Sequence, residues 1–326
     1  MVKEKGSWLT SRPDIKVFDC TIRDGGLINN HNFDEAFVKA VYYANVAAGV
    51  DYMEFGYKGS QKLFSPTEHG QWKFCTEDDI RRIVGDNDTD LKLSVMADAE
   101  RTDYHTDILP KDQSIIDVIR VATYIHQLPI AIDMIKDAHD KGYYTTINIM
   151  AISTVQEKDL MEALDILAKT PVDVIYVVDS FGSFYSEQIA YFSKMYSKAI
   201  EGTDKLLGIH THNNQQLAYA NTIEALLNGV SLLDVTINGM GRGAGNCPTE
   251  LLLGFLRNPK FKQRPILECI QQYFLPMIKE GVDWGYSIPY MITGQLNQHP
   301  RTAIKMRSSA APDDYVGFYD QMVEKE

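Results

Sequence analysis

The chain lacks most of the features of secreted, membrane and disulfide-rich proteins. Its 326 residues include only four cysteines, with no CxxC pair, which excludes a disulfide framework and a thiolate zinc site. No uninterrupted apolar run approaches the roughly 18 residues of a membrane span, and the stretch 1–16 lacks the apolar core of a signal peptide. These absences predict a cytoplasmic protein that has no membrane partner.

Positive charge is also scarce. The 32 Lys and Arg residues stand against 44 Asp and Glu residues, which gives a net charge of -12. No Lys/Arg-rich run offsets this balance, so nucleic acid is not an expected partner. The composition, 44% hydrophobic and 23% charged, is that of an ordinary globular chain long enough to bury a large core. A homo-oligomer is compatible with it.

Short β-rich segments alternate with longer helical patterns along most of the chain. The pattern predicts strands at 15–22, 51–57, 91–97, 115–121, 143–150, 172–178, 206–210 and 232–238. It predicts helices at 34–48, 77–84, 130–141, 156–169, 186–200, 215–228 and 249–256. Eight such units favour an α/β fold of the (β/α)₈ TIM-barrel type. A doubly wound sheet is the alternative, but it would leave the eight-fold count a coincidence.

The strand signal stops near residue 258. We therefore predict a catalytic barrel over 14–258 and a C-terminal helical extension over 259–326 that packs against it. No low-complexity segment or linker separates the two.

His210 and His212 follow the apolar run 206–209. Side chains at i and i+2 of a strand point to the same face, so these imidazoles are expected to converge at the strand's end. Imidazole nitrogens are common metal ligands. The alternative is a pair of buried histidines that are hydrogen-bonded to backbone.

Other polar residues also fall at predicted strand ends, where TIM barrels place their catalytic groups. They are Arg23, Asp24, Glu54, Arg120, Ser180 and Asn246. Asp24, His210 and His212 form a set of two imidazoles and one carboxylate, which leaves coordination positions open for substrate. This set suits Mn²⁺, Mg²⁺, Zn²⁺ or Fe²⁺, of which we expect Mn²⁺. Asn246 either adds a fourth oxygen or is a turn residue.

Arg23 precedes the predicted carboxylate ligand. Its guanidinium stays charged and offers a rigid set of donors, which suits a substrate carboxylate or a developing enolate oxygen. Glu54 is expected to orient it. The alternative is an ordinary ion pair at the barrel rim. Arg120 and His210 are further candidates for substrate contacts.

Three motifs in this order resemble those of the DRE-TIM metallolyases, the family that includes 3-hydroxy-3-methylglutaryl-CoA lyase. Residues 19–26, Asp-Cys-Thr-Ile-Arg-Asp-Gly-Gly, resemble its D-x-T-L-R-D-G signature. Residues 210–214 resemble its H-x-H-N segment, and residues 239–250 its final glycine-rich loop. The last of these is most similar to the 4-hydroxy-2-oxovalerate aldolase branch.

The resemblance implies a divalent metal held by Asp24, His210 and His212, with Arg23 steadying an enolate and Glu54 supporting Arg23. It also implies a substrate contact for Ser180 and a proton donor at Tyr290. Buried structural tyrosines are nearly as common at such positions.

The chain departs from the family where the aldolases place a basic histidine shortly after R-D-G. Here the sequence is Gly26-Leu27-Ile28-Asn29-Asn30, and His31 follows. We therefore expect His31 to be the general base, with His299 as the second candidate side chain. A metal-bound hydroxide is the remaining alternative.

These observations together predict a metal-dependent aldolase or lyase. It would cleave or form a carbon–carbon bond in a small hydroxy-oxo acid through a metal-bound enolate. A Claisen-type synthase that uses an acyl-CoA, and a non-catalytic barrel that binds a metabolite, are the alternatives.

Overall fold

The computed structural model describes residues 14–324, which contain eight parallel strands in a closed barrel. The strands are β1 (Lys16–Asp19), β2 (Tyr52–Tyr57), β3 (Lys92–Asp98), β4 (Val118–Thr123), β5 (Tyr144–Ile149), β6 (Val174–Asp179), β7 (Leu206–Thr211) and β8 (Leu232–Val235). Each pairs with its neighbour in chain order, and β8 pairs with β1. The predicted TIM barrel is confirmed.

Helices separate and surround these strands. They are α1 (Thr21–Gly25), α2 (Glu35–Ala48), α3 (Glu77–Val84), α4 (Tyr104–Asp107), α5 (Leu128–Asp140), α6 (Glu157–Leu167), α7 (Ser186–Ala199), α8 (Ala218–Leu227), α9 (Thr249–Leu256), α10 (Gln263–Cys269), α11 (Leu275–Lys279), α12 (Ile288–Gln295), α13 (Arg301–Arg307) and α14 (Tyr315–Val323). None of the helices within residues 14–324 is long and apolar enough to cross a bilayer.

The helix boundaries follow from local chemistry. Asp34 caps α2 by accepting a hydrogen bond from the Phe37 backbone, and Gly49 ends this helix in the left-handed conformation (φ 75°). Thr76 and Asp79 form a reciprocal capping box at the start of α3. Both helices begin within one residue of the position that the sequence predicts.

The first strand is shorter than predicted, and the reason bears on the site. The Asp19 carboxylate accepts hydrogen bonds from the Thr21 backbone (3.1 Å) and hydroxyl (2.7 Å), so the chain turns there into α1. The Thr21 hydroxyl in turn accepts the Ile237 backbone N–H (2.8 Å) after β8. This turn carries Arg23 and Asp24 to the barrel mouth.

The fourth strand starts three residues later than predicted and continues to Thr123. Arg120 therefore lies in the middle of β4 rather than at its end. The apolar run that begins at Ile115 gave no signal for the exact starting residue.

The core has several parts. A large apolar cluster fills the space between the barrel and its helices. A separate cluster joins α12, α13 and α14 to Ala244 of the loop after β8. The C-terminal helices therefore pack on the glycine-rich loop at the barrel mouth.

Candidate active site

A cavity of about 320 Å³ opens at the carboxyl ends of the strands. Asp24, His210 and His212 line it together with Arg23 and Ser180. The C-terminal segment contributes His299, which lies between α12 and α13, and Arg301 and Ile304 of α13 to its wall. The position is the one that TIM-barrel enzymes use for catalysis.

The three predicted metal ligands converge in this cavity. One ligand atom from each of Asp24, His210 and His212 lies within 4.8 Å of the others, and all three residues are buried. The His212 Nε2 atom is 3.6 Å from the Asp24 Oδ2 atom. This spacing allows one ion to contact all three.

Both imidazoles are oriented by acceptors at Nδ1. His210 Nδ1 is 2.9 Å from Asp234 Oδ2, and His212 Nδ1 is 3.0 Å from the Asp179 carbonyl. These acceptors place the proton on Nδ1 and leave the Nε2 lone pair free. His210 Nε2 is buried with no hydrogen-bond partner in the described part of the chain. A buried, unpartnered lone pair of this kind fits a metal ligand.

The charges of the triad also suit a cation. Burial would raise the pKa of Asp24, but Arg23 and the two histidines outweigh it and hold the pKa well below its usual range. Burial lowers the pKa of His212 to about 3, so this imidazole is neutral near pH 7. A carboxylate and a neutral imidazole are the forms that bind metal.

Asn246 lies beside the triad. Its Nδ2 atom donates to Asp24 Oδ2 and, at 3.3 Å, to the Met240 carbonyl, while its Oδ1 atom is buried without a partner among residues 14–324. Gly241 permits this approach, since an added Cβ would come within 2.1 Å of Asn246 Nδ2. Asn246 is thus adjacent to the candidate metal position, and its role as a ligand stays a prediction.

Arg23 is held between two carboxylates. Its Nε atom is 2.7 Å from Glu54 Oε2, and its Nη1 atom is 3.0 Å from Asp24 Oδ1. Burial would lower the pKa of Arg23, but these two carboxylates outweigh it and raise the pKa. The guanidinium lines the cavity, whereas Glu54 is fully buried behind it. Glu54 is therefore placed to orient Arg23, as the sequence predicts.

Arg120 is not placed as a substrate contact. Its side chain is fully buried in the barrel, between the Phe18 and Tyr176 rings (4.3 and 4.4 Å from the centroids). Its Nη2 atom is 2.7 Å from Asp234 Oδ2, and Asp234 holds His210. This position favours a supporting role through Asp234, and the substrate contact stays a prediction that the position of Arg120 does not favour. The prediction placed Arg120 at the end of its strand, but Arg120 lies in the middle of β4. A mid-strand residue that points inward lies in the barrel interior, below the mouth.

Arg120 also bears on a second group of possible metal ligands, Cys20, His210 and Asp234. The guanidinium donates to Cys20 Sγ (3.2 Å) and to Asp234 Oδ2. Its positive charge already balances the carboxylate, so this group is unsuited to a metal ion.

Ser180 lines the cavity, as predicted, whereas Tyr290 does not. The Ser180 hydroxyl accepts the Ala151 backbone N–H (2.8 Å) and keeps its own proton for donation. Tyr290 lies behind the glycine-rich loop, and its hydroxyl accepts from Arg307 (3.2 Å). Tyr290 packs in the cluster of the C-terminal helices, which favours a structural role, and its role as proton donor stays a prediction.

The two candidate bases differ in position. His31 is buried outside the cavity lining, with Nδ1 against Gly26 and its ring 5.3 Å from that of Tyr57. His299 lines the cavity, but its Nδ1 atom accepts the Arg301 backbone N–H (3.0 Å). The proton of the neutral His299 ring is then on Nε2, so this nitrogen can donate but cannot accept. Neither histidine presents a free lone pair to the cavity, which argues against both as the base.

Five charged cavity residues were not singled out from the sequence. They are Lys73, Asp98, Arg101, Arg242 and Arg301. Asp98 ends β3 and Arg242 lies in the glycine-rich loop, so position at a strand end could have identified both. Lys73 belongs to the long connection after β2, where no motif or periodicity in the sequence indicates a functional residue.

The metal triad, the arginine beside it and the barrel agree with the family comparison. The model of the HMGL-like family matches residues 14–271. The chain belongs to the HMGL-like family. This result confirms the resemblance on which the predicted metal ligands depend.

Curated members of the family include two enzymes of different name. An oxaloacetate decarboxylase of Mycobacterium tuberculosis is 29% identical over 246 residues, which cover 74% of this chain and 69% of that protein. A 4-hydroxy-2-oxovalerate aldolase of Pelotomaculum thermopropionicum is 27% identical over 254 residues, which cover 77% of this chain and 72% of that protein.

Solved structures share the fold. The N-terminal domain of a candidate aldolase from Bacteroides vulgatus is 26% identical, with a TM-score of 0.77 over 93% of this chain and 100% of that one. The HMG-CoA lyase of Brucella melitensis is 14% identical, with a TM-score of 0.63 over 82% and 99%. The second likeness speaks for the fold alone.

Proposed function

We propose that the protein is a divalent-metal-dependent carbon–carbon lyase that cleaves, or forms, a 4-hydroxy-2-oxo acid by aldol chemistry. The main support is the site itself, where two imidazoles with free Nε2 atoms and an ionised Asp24 meet beside Arg23. The names of the aldolase and decarboxylase relatives point to the same class of reaction.

The ion would be held by Asp24, His210 and His212, and we propose Mn²⁺ because a mixed nitrogen and oxygen set suits it. When bound, a divalent cation supplies Lewis-acid stabilisation of negative charge on the substrate's oxygens. Asp234 and Arg120 would keep His210 in its ligating orientation.

Arg23 would stabilise the enolate oxygen that develops as the bond breaks. Its guanidinium stays protonated because the carboxylates of Asp24 and Glu54 adjoin it. Glu54 also holds the orientation of the guanidinium. Preorganised donors of this kind cost little reorganisation when charge appears.

Asp98 is the proposed proton acceptor. It ends β3, lines the cavity and has no ion-pair partner within 4.0 Å in the described chain. Burial raises the pKa of its carboxyl, while Lys73 and Arg101 oppose the shift. A carboxylate whose pKa moves toward neutral is a better base near pH 7.

Cleavage would begin at the C4 hydroxyl of the substrate. Asp98 takes the proton of the C4 hydroxyl, and the C3–C4 bond breaks with its electron pair remaining on C3. C4 leaves as an aldehyde, and the enolate of pyruvate remains beside Arg23. A proton then adds to C3 to give pyruvate.

Decarboxylation of a 2-oxo diacid is the second candidate, since one relative is named for oxaloacetate. It forms the same enolate, but it releases carbon dioxide instead of an aldehyde and needs no base at a hydroxyl. Asp98 would then be dispensable.

The test measures pyruvate from a panel of 4-hydroxy-2-oxo acids and from oxaloacetate, with Mn²⁺ and after chelation. We expect metal-dependent pyruvate and aldehyde release from the hydroxy acids. Asp24→Asn should abolish it, whereas Asp133→Asn on the exposed face of α5 should not.

Metal-dependent turnover of oxaloacetate alone would favour the decarboxylase. No turnover of any compound despite tight binding would favour the non-catalytic barrel, and thiol release from an acyl-CoA with a 2-oxo acid would favour the Claisen synthase.

A further inference from the structure

Lys73 is an unusual cation in the wall of the cavity. It ends the short 3₁₀ helix Gln71–Lys73 in the connection after β2, and only 6% of it is exposed. Its Nζ atom lies 4.2 Å from the centroid of the Tyr57 ring and 4.0 Å from that of Phe64. The two rings stabilise the ammonium through cation–π contacts.

No carboxylate completes this environment. Within residues 14–324, no Asp or Glu oxygen lies within 4.0 Å of Lys73 Nζ, in contrast to the buried Lys58, which pairs with Glu77 at 3.6 Å. Burial lowers the pKa of Lys73 by more than the charge of Asp98 raises it, which means that the site disfavours the charge of Lys73. An anion bound beside it would offset this cost.

The position of Lys73 is set by the backbone. Its carbonyl accepts the Gly59 N–H at 2.9 Å. A Cβ at Gly59 would come within 2.8 Å of that carbonyl and 3.1 Å of Lys73 Cε. The close approach of the two segments therefore fixes the side chain against its ring neighbours.

The cavity as a whole carries excess positive charge. Its cationic side chains are Arg23, Lys73, Arg101, Arg242 and Arg301. Among residues 14–324, only two carboxylates line it, Asp24 and Asp98. Arg23 and Asp24 neutralise each other, and one substrate carboxylate would still leave positive charge unbalanced.

The topology separates this charge from the metal triad. His210 lies in β7 and His212 directly follows it. Lys73 comes from the connection after β2, whereas Asp98 ends β3 and Arg101 follows it. In a closed ring of eight strands, β3 lies across from β7. A substrate held by its 2-oxo acid end at the triad would therefore extend toward Asp98 and Arg101, and Lys73 lies within electrostatic range of both.

We propose that Lys73, assisted by Arg101, binds a second carboxylate at the far end of the substrate, so that the preferred substrates are 4-hydroxy-2-oxo dicarboxylates. The C4 carbon would then carry both the hydroxyl that faces Asp98 and the carboxylate that faces Lys73. This inference rests on the proposed function for the reaction, but the anion site can be tested without turnover.

The binding test uses 2-oxoglutarate and 2-oxopentanoate, which differ only by a carboxylate in place of a methyl group. Calorimetry on the Mn²⁺-loaded protein should give at least ~10-fold tighter binding of 2-oxoglutarate, the effect of one charge-assisted contact. Lys73→Met should remove most of this preference. The control Lys158→Met removes an exposed lysine of α6 and should leave it unchanged.

A second variant covers the case in which Lys73→Met does not fold. Arg101 is exposed, so Arg101→Met should fold and should weaken the preference by a smaller factor. Equal binding of both acids by the wild type would overturn the proposal. A preference that survives in Lys73→Met, or in Arg101→Met if the first variant is unfolded, would overturn it as well. The proposal would also be overturned if the preference for 2-oxoglutarate were lost in Arg301→Met but in neither other variant. That result would place the second carboxylate at the wall formed by the C-terminal segment.

The turnover test uses the matched pair 4-hydroxy-2-oxoglutarate and 4-hydroxy-2-oxopentanoate. We expect a kcat/KM at least ~10-fold higher for the dicarboxylate, reduced toward unity in Lys73→Met. If neither compound is cleaved while the binding preference depends on Lys73, the proposed function fails and the anion site stands. If both are cleaved equally well, the anion site fails and the proposed function stands.

Discussion

The two sides of the cavity differ in how their charged groups are held. On the side of β1, β7 and β8, each functional group has a buried partner: Glu54 for Arg23, Asp234 for His210, and the Asp179 carbonyl for His212. On the side of β2 and β3, Lys73, Asp98 and Arg101 have no ion-pair partner within 4.0 Å in the described chain. The first side is arranged as the proposed metal site requires, and the second would leave its charges to the proposed substrate.

The largest effect is expected on the preorganised side. Asp24→Asn removes the carboxylate of the proposed metal triad. It should lower both the metal content and the turnover, and turnover should fall by about 10³-fold or more. Metal analysis and pyruvate release on the same preparation check this. Asp133→Asn is the matched control, and full metal occupancy in Asp24→Asn would contradict the triad.

Asp98→Asn should cut kcat by about 10²- to 10⁴-fold, the usual share of a general base. Metal content should stay at the wild-type value, because Asp98 lies on the other side of the cavity. Exchange of the pyruvate methyl protons with deuterium, followed by NMR, provides a separate readout. If the variant still exchanges the pyruvate protons but no longer cleaves the hydroxy acid, Asp98 accepts the proton of the C4 hydroxyl. If cleavage is unchanged, Asp98 is not the base.

Asp234→Asn tests the support of His210. The variant keeps an acceptor oxygen but loses the charge, so metal affinity should fall by about 10- to 100-fold while kcat at saturating metal largely recovers. Titration of turnover with Mn²⁺ measures both quantities. A loss of kcat that excess metal does not restore would show that Asp234 has a further role.

His31→Asn should have the smallest effect on turnover, less than about 10²-fold, because His31 lies outside the cavity lining. Asparagine also tolerates the positive φ of 63° at this position. A loss of 10²-fold or more with intact metal binding would restore His31 as the base.

The same variant has a predicted pH signature in the apo protein. Burial lowers the pKa of His31 to about 3, from the ordinary value of 6.5 in the unfolded chain. Below pH 6.5 the unfolded state therefore binds a proton that the folded state does not, and stability is lost as the pH falls toward 3. Between pH 7 and 5 the wild type should lose about 2 kcal/mol more of its free energy of unfolding than His31→Asn, measured by urea denaturation. An equal loss in both proteins would show that His31 is not the group responsible.

The sequence was sufficient for the barrel and for the residues that the motifs carry. Strand and helix periodicity predicted eight units, and Asp24, His210 and His212 do converge. Their roles, and the boundary near residue 258, stay predictions.

The other parts of the site depend on information that periodicity does not contain. The prediction placed Arg120 near the end of the fourth strand, whereas β4 runs from Val118 to Thr123 and places Arg120 inside the barrel. The difference arises because an apolar run does not specify its own register. Lys73 reaches the cavity only because the long connection returns past Gly59. The positions of His31 and Tyr290 likewise follow from how their segments pack against glycine-rich loops.

The metal triad is tested most directly by anomalous diffraction from crystals soaked with Mn²⁺. We predict one strong peak at about 2.0–2.3 Å from Asp24 Oδ2, His210 Nε2 and His212 Nε2, with both Nδ1 atoms still on their present acceptors. A peak bound through Nδ1, or one placed away from these three residues, would contradict the account.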